Sequence, residues 1–334
     1  METDHLPREP TVTEIGELLE RVGAASGHPP LGADRLRALE HAASRGQGPD
    51  RVGRQTDRAT GPDAFLALLA RRGPGGPLVG YAQVDAGGAH DPAVRSVVEL
   101  VAEPGPAADE VAGVLLASVV RAVRAAGGGT VRLWTPRAGA ADDRRAALNG
   151  FTHERDLLQM RCRLPIDPGA GTGRPAVTVR TRPFRVGVDE DAWLALNNRA
   201  FATHPEQGRW DRADLSERER EPWFDPAGFL VLEEAGRMAG WCWTKVHAGA
   251  RPPMGEIYVI GVDPDLRGRG RGRALTQAGF DWLAAQGLTV GMLYVDGANT
   301  AAVSLYRSMG LAVDHVDRSY LASIEGAAGP AGAG

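Results

Sequence analysis

Cysteine is nearly absent from this chain of 334 residues: Cys162 and Cys242 are the only two. Two thiols cannot build a disulfide framework or a cysteine-rich metal site. The eight histidines are scattered, with no pair at metal-ligand spacing, so no metal is expected. No stretch approaches the roughly 18 apolar residues of a membrane span. Met1–Pro10 also lacks the basic-then-apolar pattern of a signal peptide. A net charge of −4 supplies no global basic field for nucleic acid or an anionic membrane. These absences predict a reduced, cytoplasmic, metal-free protein, taken as a monomer, that binds neither nucleic acid nor membrane. Lysine is the most extreme deficit, since Lys245 is the only one among 38 basic residues.

What is present is a duplication, offset by 160 residues. Gly76–Tyr81 aligns with Gly236–Trp241, Val101–Pro104 with Gly261–Pro264, Leu133-Trp134 with Leu293-Tyr294, and Asn149–Phe151 with Met309–Leu311. One frame fits all four matches, so the two copies share a fold. The expected organisation is an N-terminal domain over 1–165, a Gly/Pro-rich linker over 166–175, a C-terminal domain over 176–324 and a disordered tail over 325–334. Each copy reads as α/β, a mixed, mostly antiparallel sheet flanked by helices. In the second copy, strands are expected over Ala176–Arg182, Phe229–Glu233, Met238–His247, Glu256–Val262, Thr289–Val295 and Leu311–Val316. Helices are expected over Glu190–Phe201, Gly270–Gln286 and Asn299–Met309.

Chemistry is concentrated where strand Glu256–Val262 runs through Asp263-Pro264-Asp265-Leu266 into Arg267-Gly268-Arg269-Gly270-Arg271-Gly272-Arg273 and then a helix. Glycines let the backbone approach a ligand closely. The amides and dipole at a helix start favour an anion, and arginines add charge-assisted bonds to phosphate. An Arg/Gly run standing alone reads as a solvated basic turn; between a strand and a helix it reads as a phosphate cradle. Neither a dinucleotide fingerprint nor a Gly-Lys-Ser/Thr P-loop is present.

Arg267-Gly268-Arg269-Gly270-Arg271-Gly272 resembles the R-x-x-G-x-G signature of the GCN5-related N-acetyltransferases. The later segment Asn299–Gly310 resembles that superfamily's second motif, with Asn299 and Tyr306 in place. The resemblance implies two tandem domains of this type, with acetyl-CoA as co-substrate. It implies cofactor binding by Ile260, Gly261, Val262, the loop Arg267, Gly268, Arg269, Gly270, Arg271, Gly272, Arg273, then Asn299 and Ser304. Glu256 is implied as the base and Tyr306 as the acid that protonates the departing thiolate. Leu157–Arg161, Asn197–Phe201, His204–Gly208 and Glu256–Val262 further resemble the mycothiol synthases, a tandem-domain branch of that superfamily from actinobacteria. That resemblance implies N-acetylation of the cysteinyl amine of desacetylmycothiol, a small thiol-sugar. The substrate contacts it implies are Glu206, Lys245, Glu256 and Tyr294, with Ala33 or Asp34 as an N-terminal contact. Transfer to another amine, such as an aminoglycoside or peptide, and a non-catalytic acyl-CoA sensor are the alternative readings. Cys242, between Trp241 and Trp243, reads as core packing.

The first copy departs from the pattern. Arg267–Arg273 falls on Ala107–Gly113, where the arginines are replaced and two carboxylates, Asp109 and Glu110, appear. Asn299 corresponds to Gly139 and Tyr306 to Ala146. The first copy is therefore expected to bind acetyl-CoA poorly or not at all.

Overall fold

The computed structural model describes residues 12–27, 30–31, 65–73, 76–86, 93–167, 179–202 and 207–327. The chain divides into two compact units, 1–155 with 317–334, and 156–316. Among the described residues the first unit begins with helix α1 (Val12–Ser26), then strands β1 (Phe65–Arg71), β2 (Leu78–Ala86) and β3 (Ser96–Ala102). Helix α2 (Ala108–Ala125), strand β4 (Gly128–Thr135) and helix α3 (Ala140–Leu148) follow. Strand β5 (Thr152–Arg163) leads into the second unit, with β6 (Thr181–Pro183), α4 (Glu190–Ala200), α5 (Arg212–Glu219), β7 (Phe229–Glu234), β8 (Arg237–His247) and β9 (Met254–Val262). Helix α6 (Arg271–Ala285), β10 (Val290–Asp296), α7 (Thr300–Ser308) and β11 (Ala312–Glu325) complete the chain.

The sheet order is β1-β2-β3-β4-β11 in the first unit and β5-β10-β9-β8-β7-β6 in the second. Only β3 with β4 and β9 with β10 run parallel; the other described neighbours within each unit are antiparallel. Each sheet is therefore mixed and mostly antiparallel. The offset of the duplication holds element by element: α3 at Ala140 answers α7 at Thr300, and β5 at Thr152 answers β11 at Ala312.

The compact units do not end where the sequence repeat ends. Leu157–Arg163 of β5, the last strand of the first copy, pairs with β10 of the second unit. Arg318–Glu325 of β11 pairs with β4 of the first unit. Each copy's final strand thus completes the sheet built by the other copy. A repeat frame aligns residues with their counterparts and carries no information about which strand they pair with. Most other elements lie within a few residues of expectation. β11 continues nine residues past its expected end at Val316, and α5 was not anticipated. β6 is reduced to Thr181–Pro183: of the rest of its expected span, 179 and 180 are irregular and 176 to 178 lie outside the described residues.

Two features of the second unit follow directly from local chemistry. The two-residue turn Ala235-Gly236 between β7 and β8 has φ of 50° and 74°, the left-handed pair that matches strand twist in a tight hairpin. Helix α6 buries Leu275, Phe280 and Leu283 completely. It approaches β8 so closely that a Cβ at Gly279 would lie 2.4 Å from the Cys242 sulfur. Cys242 is fully buried, and burial raises its thiol pKa far above the ordinary value. It is core, as its apolar neighbours imply. The opposite face of the sheet carries an aromatic cluster centred on Trp193. Its ring meets Trp210, Phe229, Trp241 and Trp243 edge-on at 5.7–5.9 Å, the arrangement that aromatic quadrupoles favour.

Candidate active site

The site is built by an irregularity in β9. Trp243 of β8 pairs with Val259, but Thr244 pairs with Ile257, so Tyr258 is an extra residue. Such a bulge bends its strand and increases the local twist. The parallel pairing of β9 with β10 is confined to Gly255, Glu256 and Ile257 against Gly291, Met292 and Leu293. Beyond Ile257 the edge of β9 facing away from β8 has no strand partner among the described residues. The amide of Asp263 donates to Ala239 O at 2.9 Å, on the β8 side. Alternation along the strand then turns the amides of Ile260 and Val262 toward the open edge. Gly261 lies between them under the Trp241 ring, which a Cβ there would meet at 2.2 Å.

The Arg/Gly loop leaves β9 through a 3₁₀ turn, Pro264–Leu266, whose start is capped by Asp263 accepting from the Asp265 amide at 3.1 Å. The buried Asp263 carboxylate is held by Arg199 at 2.8 Å. Gly268 and Gly270 have φ of 75° and 78°. Side chains are strained in that left-handed region, so glycine is required for the path the loop takes into α6. Arg267 donates to Ala200 O at 2.7 Å. Arg271 grips Glu234 with two bonds of 2.8 and 2.9 Å, and this bond holds the Glu234 pKa below its usual range. Arg273 donates to Ser308 Oγ at 2.8 Å. Three of the four guanidinium groups therefore brace the loop against α4, the β7–β8 hairpin and α7. What the loop offers an anion is its backbone amides, the start of α6 and the exposed Arg269.

Glu256 stands on β9 just before the bulge, only 6% exposed. Its Oε2 lies 2.6 Å from His247 Nε2. Lys245 pairs with Glu256 in register across β8 and β9, which places both on one face of the sheet. The Lys245 ammonium sits 4.5 Å above the Trp223 ring and 5.6 Å from that of the bulged Tyr258, cation–π geometry that fixes a flexible side chain.

Tyr294, two residues beyond Met292, presents a partly exposed ring on the face that carries Glu256. Its hydroxyl accepts from Gln159 Nε2 at 2.7 Å, and Arg161 Nε donates to Gln159 Oε1 at 2.7 Å. Both Gln159 and Arg161 belong to β5, the strand carried in from the first copy. Asp314 joins the group through Arg161 at 3.3 Å and His315 at 2.7 Å.

Tyr306 is buried on α7 and packs into the core between α6, α7 and the sheet. Burial, with a smaller contribution from Cys242, pushes its phenol up to about 12. Asn299 caps α7, its side chain accepting from the Ala302 amide at 3.1 Å, while Ser304 is exposed on that helix. Glu206, Ala33 and Asp34 lie outside the described residues.

The structure thus brings Glu256, Lys245 and Tyr294 to one sheet face, and Ile260, Gly261, Val262 and the loop to the open edge. Reading the sequence missed His247, Trp223 and Tyr258 as neighbours of these groups. His247 was detectable as the residue two beyond Lys245 on a strand, hence on its face. Trp223 carried no such signal, because it reaches Lys245 from an irregular segment 22 residues away. Among the described residues no group of three His, Cys, Asp or Glu side chains could hold a metal ion. Nor is any helix there long and apolar enough to cross a membrane.

Comparison with known proteins agrees with this geometry. The model of the acetyltransferase (GNAT) family matches residues 192–311, the bulged strand, the loop and both following helices. The mycothiol acetyltransferase of Thermobispora bispora is 45% identical over 289 residues, 85% of this chain and 93% of that protein. The mycothiol acetyltransferase of Kocuria rhizophila is 40% identical over 322 residues, 93% and 96% of the two chains. In fold, the chain is similar to a GCN5-related N-acetyltransferase from Sphaerobacter thermophilus, with a TM-score of 0.60 at 24% identity over 98% of both chains. It is also similar to a tandem GNAT protein from the clavulanic acid biosynthesis pathway, with a TM-score of 0.59 at 15% identity over 95% and 96%. Identity at that level across nearly the whole of the curated relatives, on this fold, places the chain in the mycothiol acetyltransferase family of GNAT N-acetyltransferases.

Proposed function

We propose that this chain transfers the acetyl group of acetyl-CoA to the cysteinyl amine of desacetylmycothiol, completing mycothiol. The observation that carries this reading is the extent of similarity to mycothiol acetyltransferases, 93% and 96% of both chains in one case, joined to a buried carboxylate beside an open strand edge. The second unit is read as the only catalytic one. The same reading has the enzyme act as a cytoplasmic monomer on a small molecule, with no metal, nucleic acid or membrane involved.

In the proposed mechanism the backbone amides of the Arg267–Arg273 loop and the start of α6 hold the pyrophosphate. The preset curvature at Gly268 and Gly270 means that little is reorganised on binding. Ile260 and Val262 turn their amides toward the edge where the acetyl carbonyl would lie, and donors fixed in advance stabilise the charge that develops there. The nucleophile must be a neutral amine, and an α-amino group with a pKa of about 7.7 needs only modest help to lose its proton. Glu256 takes that proton. Tyr306, whose phenol stays protonated through the neutral range, donates to the departing thiolate. Lys245, held by Trp223 and Tyr258, and Tyr294, held by Gln159, are read as contacts to the sugar portion, with Glu206 as a further contact.

The test is thiol release from acetyl-CoA with a panel of amines. Turnover on the cysteinyl glucosaminyl inositol, exceeding that on aminoglycosides and peptides by orders of magnitude, is expected. Efficient turnover of general amines without the thiol-sugar would overturn the substrate assignment, and no turnover on any amine would leave an acyl-CoA sensor.

A further inference from the structure

Glu256, on the reading above, gains a proton in every cycle and must lose it before the next. Its own surroundings oppose direct release: the side chain is 8% exposed, whereas that of His247 is 30% exposed. The two meet at 2.6 Å between Glu256 Oε2 and His247 Nε2. They sit on neighbouring antiparallel strands as a diagonal pair, since Lys245 faces Glu256 and His247 faces Met254. Two other cations share this face: the Lys245 ammonium lies over the Trp223 and Tyr258 rings, and Arg161, in register with Met292, donates to Gln159. An ammonium can donate a proton but cannot accept one. Imidazole has the property the position requires, because it accepts a proton at one ring nitrogen while releasing another from the second.

We propose that His247 is the proton relay that returns Glu256 to its basic form, a role that rests on the assignment of Glu256 as base. As the amine nitrogen bonds to the acetyl carbon, its proton passes to Glu256. The carbon–sulfur bond breaks and the thiolate takes a proton from Tyr306. Glu256 then passes its proton to His247 Nε2, the imidazolium releases a proton to water at Nδ1, and tautomer exchange through solvent frees Nε2 for the next cycle; Tyr306 is reprotonated by water once CoA has left. The protein ends each cycle in its starting protonation state.

The experiment compares His247→Ala and His247→Gln with the wild-type enzyme by steady-state kinetics, with and without added imidazole. Acetyl-CoA binding and thermal melting are measured alongside to confirm that each variant folds. His247→Ala should lower kcat by about 100-fold, the lower end of acid–base contributions, with both KM values within twofold. Imidazole should restore a large part of that loss. His247→Gln can still hydrogen-bond Glu256 but cannot relay, so it should be as slow as His247→Ala and indifferent to imidazole. A His247→Gln enzyme at the wild-type rate, or a slow His247→Ala enzyme unmoved by imidazole, would overturn the relay. A Glu256→Gln control separates the two readings. If it turns over normally, the base assignment itself fails; if it is slow while both His247 variants are normal, only the relay fails.

Discussion

Two strand pairs with the same ancestry, β2–β3 and β8–β9, differ by one residue. β2 and β3 pair without interruption from Gly80↔Ala102 to Ala86↔Ser96. Their counterparts keep step from Gly240↔Val262 to Trp243↔Val259, then slip at Tyr258. The consequence appears on the next strand. In the first unit the parallel pairing continues to Glu99↔Trp134, positions that correspond to Val259 and Tyr294. In the second unit it ends at Ile257↔Leu293. The bulge thus opens an edge that the first unit keeps zipped two residues further.

The loops diverge in the same sense. Helix α2 begins at Ala108 without a side-chain cap, three residues ahead of the position that corresponds to the start of α6. Its Asp109 is tied to Arg145 of α3 by an ion pair, where the second unit presents Arg269. Farther along the site face, Lys245 corresponds to Asp85, which takes part in a buried chain from Tyr81 through Gln83. Glu256 corresponds to Ser96. One copy of the fold therefore carries an open strand edge, a glycine-shaped Arg/Gly loop and a buried carboxylate, and the other carries a closed sheet with an acid in place of a cation. The lesson is that the fold is not the site: a one-residue shift of strand register and a few glycines separate them.

The comparison can be broken in several ways. The largest effect is expected from expressing residues 166–334 alone, which keeps the whole second copy but deprives β10 of β5. An exposed strand edge aggregates, so no folded, acetyl-CoA-stabilised product should be recovered in a thermal-shift assay. A soluble, active fragment would mean that the exchanged strand is dispensable. Glu256→Gln should lower kcat by about 100- to 1,000-fold, with acetyl-CoA affinity within twofold by calorimetry. Ser96→Glu, its mirror in the closed unit, should change neither. Calorimetry on the wild-type enzyme should accordingly give one acetyl-CoA per chain, and two equivalent sites would contradict the comparison.

Tyr306→Phe should slow turnover by about 10- to 100-fold. It also carries a stability signature with a definite sign. A phenol raised to about 12 in the folded state and near 10 when unfolded stabilises the fold fully below pH 10. That contribution is lost as pH rises from about 10 to 12. Thermal melts over that window should fall more steeply for the wild type than for Tyr306→Phe, whose residue corresponds to Ala146 in the first unit. The smallest effect is expected from Gln159→Leu, which removes the Gln159 bond to the Tyr294 hydroxyl. The amine KM should rise by about threefold to tenfold, the worth of one hydrogen bond to a substrate-facing group, while kcat changes little.

Much of this was legible in the residues. The 160-residue offset, the Arg/Gly loop between a strand and a helix, and the Asn299–Tyr306 spacing together fixed the superfamily, because each depends on local sequence. Glycine at 268 and 270 was readable for the same reason, since a left-handed backbone at a loop demands it. The bulge at Tyr258 was not, because a strand's register depends on its partner and the pattern of β9 alone reads as uninterrupted. Nor was the bracing of Arg267, Arg271 and Arg273, whose partners Ala200, Glu234 and Ser308 lie 67, 37 and 35 positions away.

By itself, then, the sequence determined the duplicated α/β fold, the position of the Arg/Gly loop between a strand and a helix, and the loss of that loop from one copy. Periodicity, glycine placement and repetition are properties of neighbouring residues. Tertiary structure alone decided which strand finishes which sheet, where β9 parts from β10, and that Glu256 meets His247 and Tyr294 meets Gln159. Those outcomes depend on side chains and backbone edges that meet only once distant segments have packed.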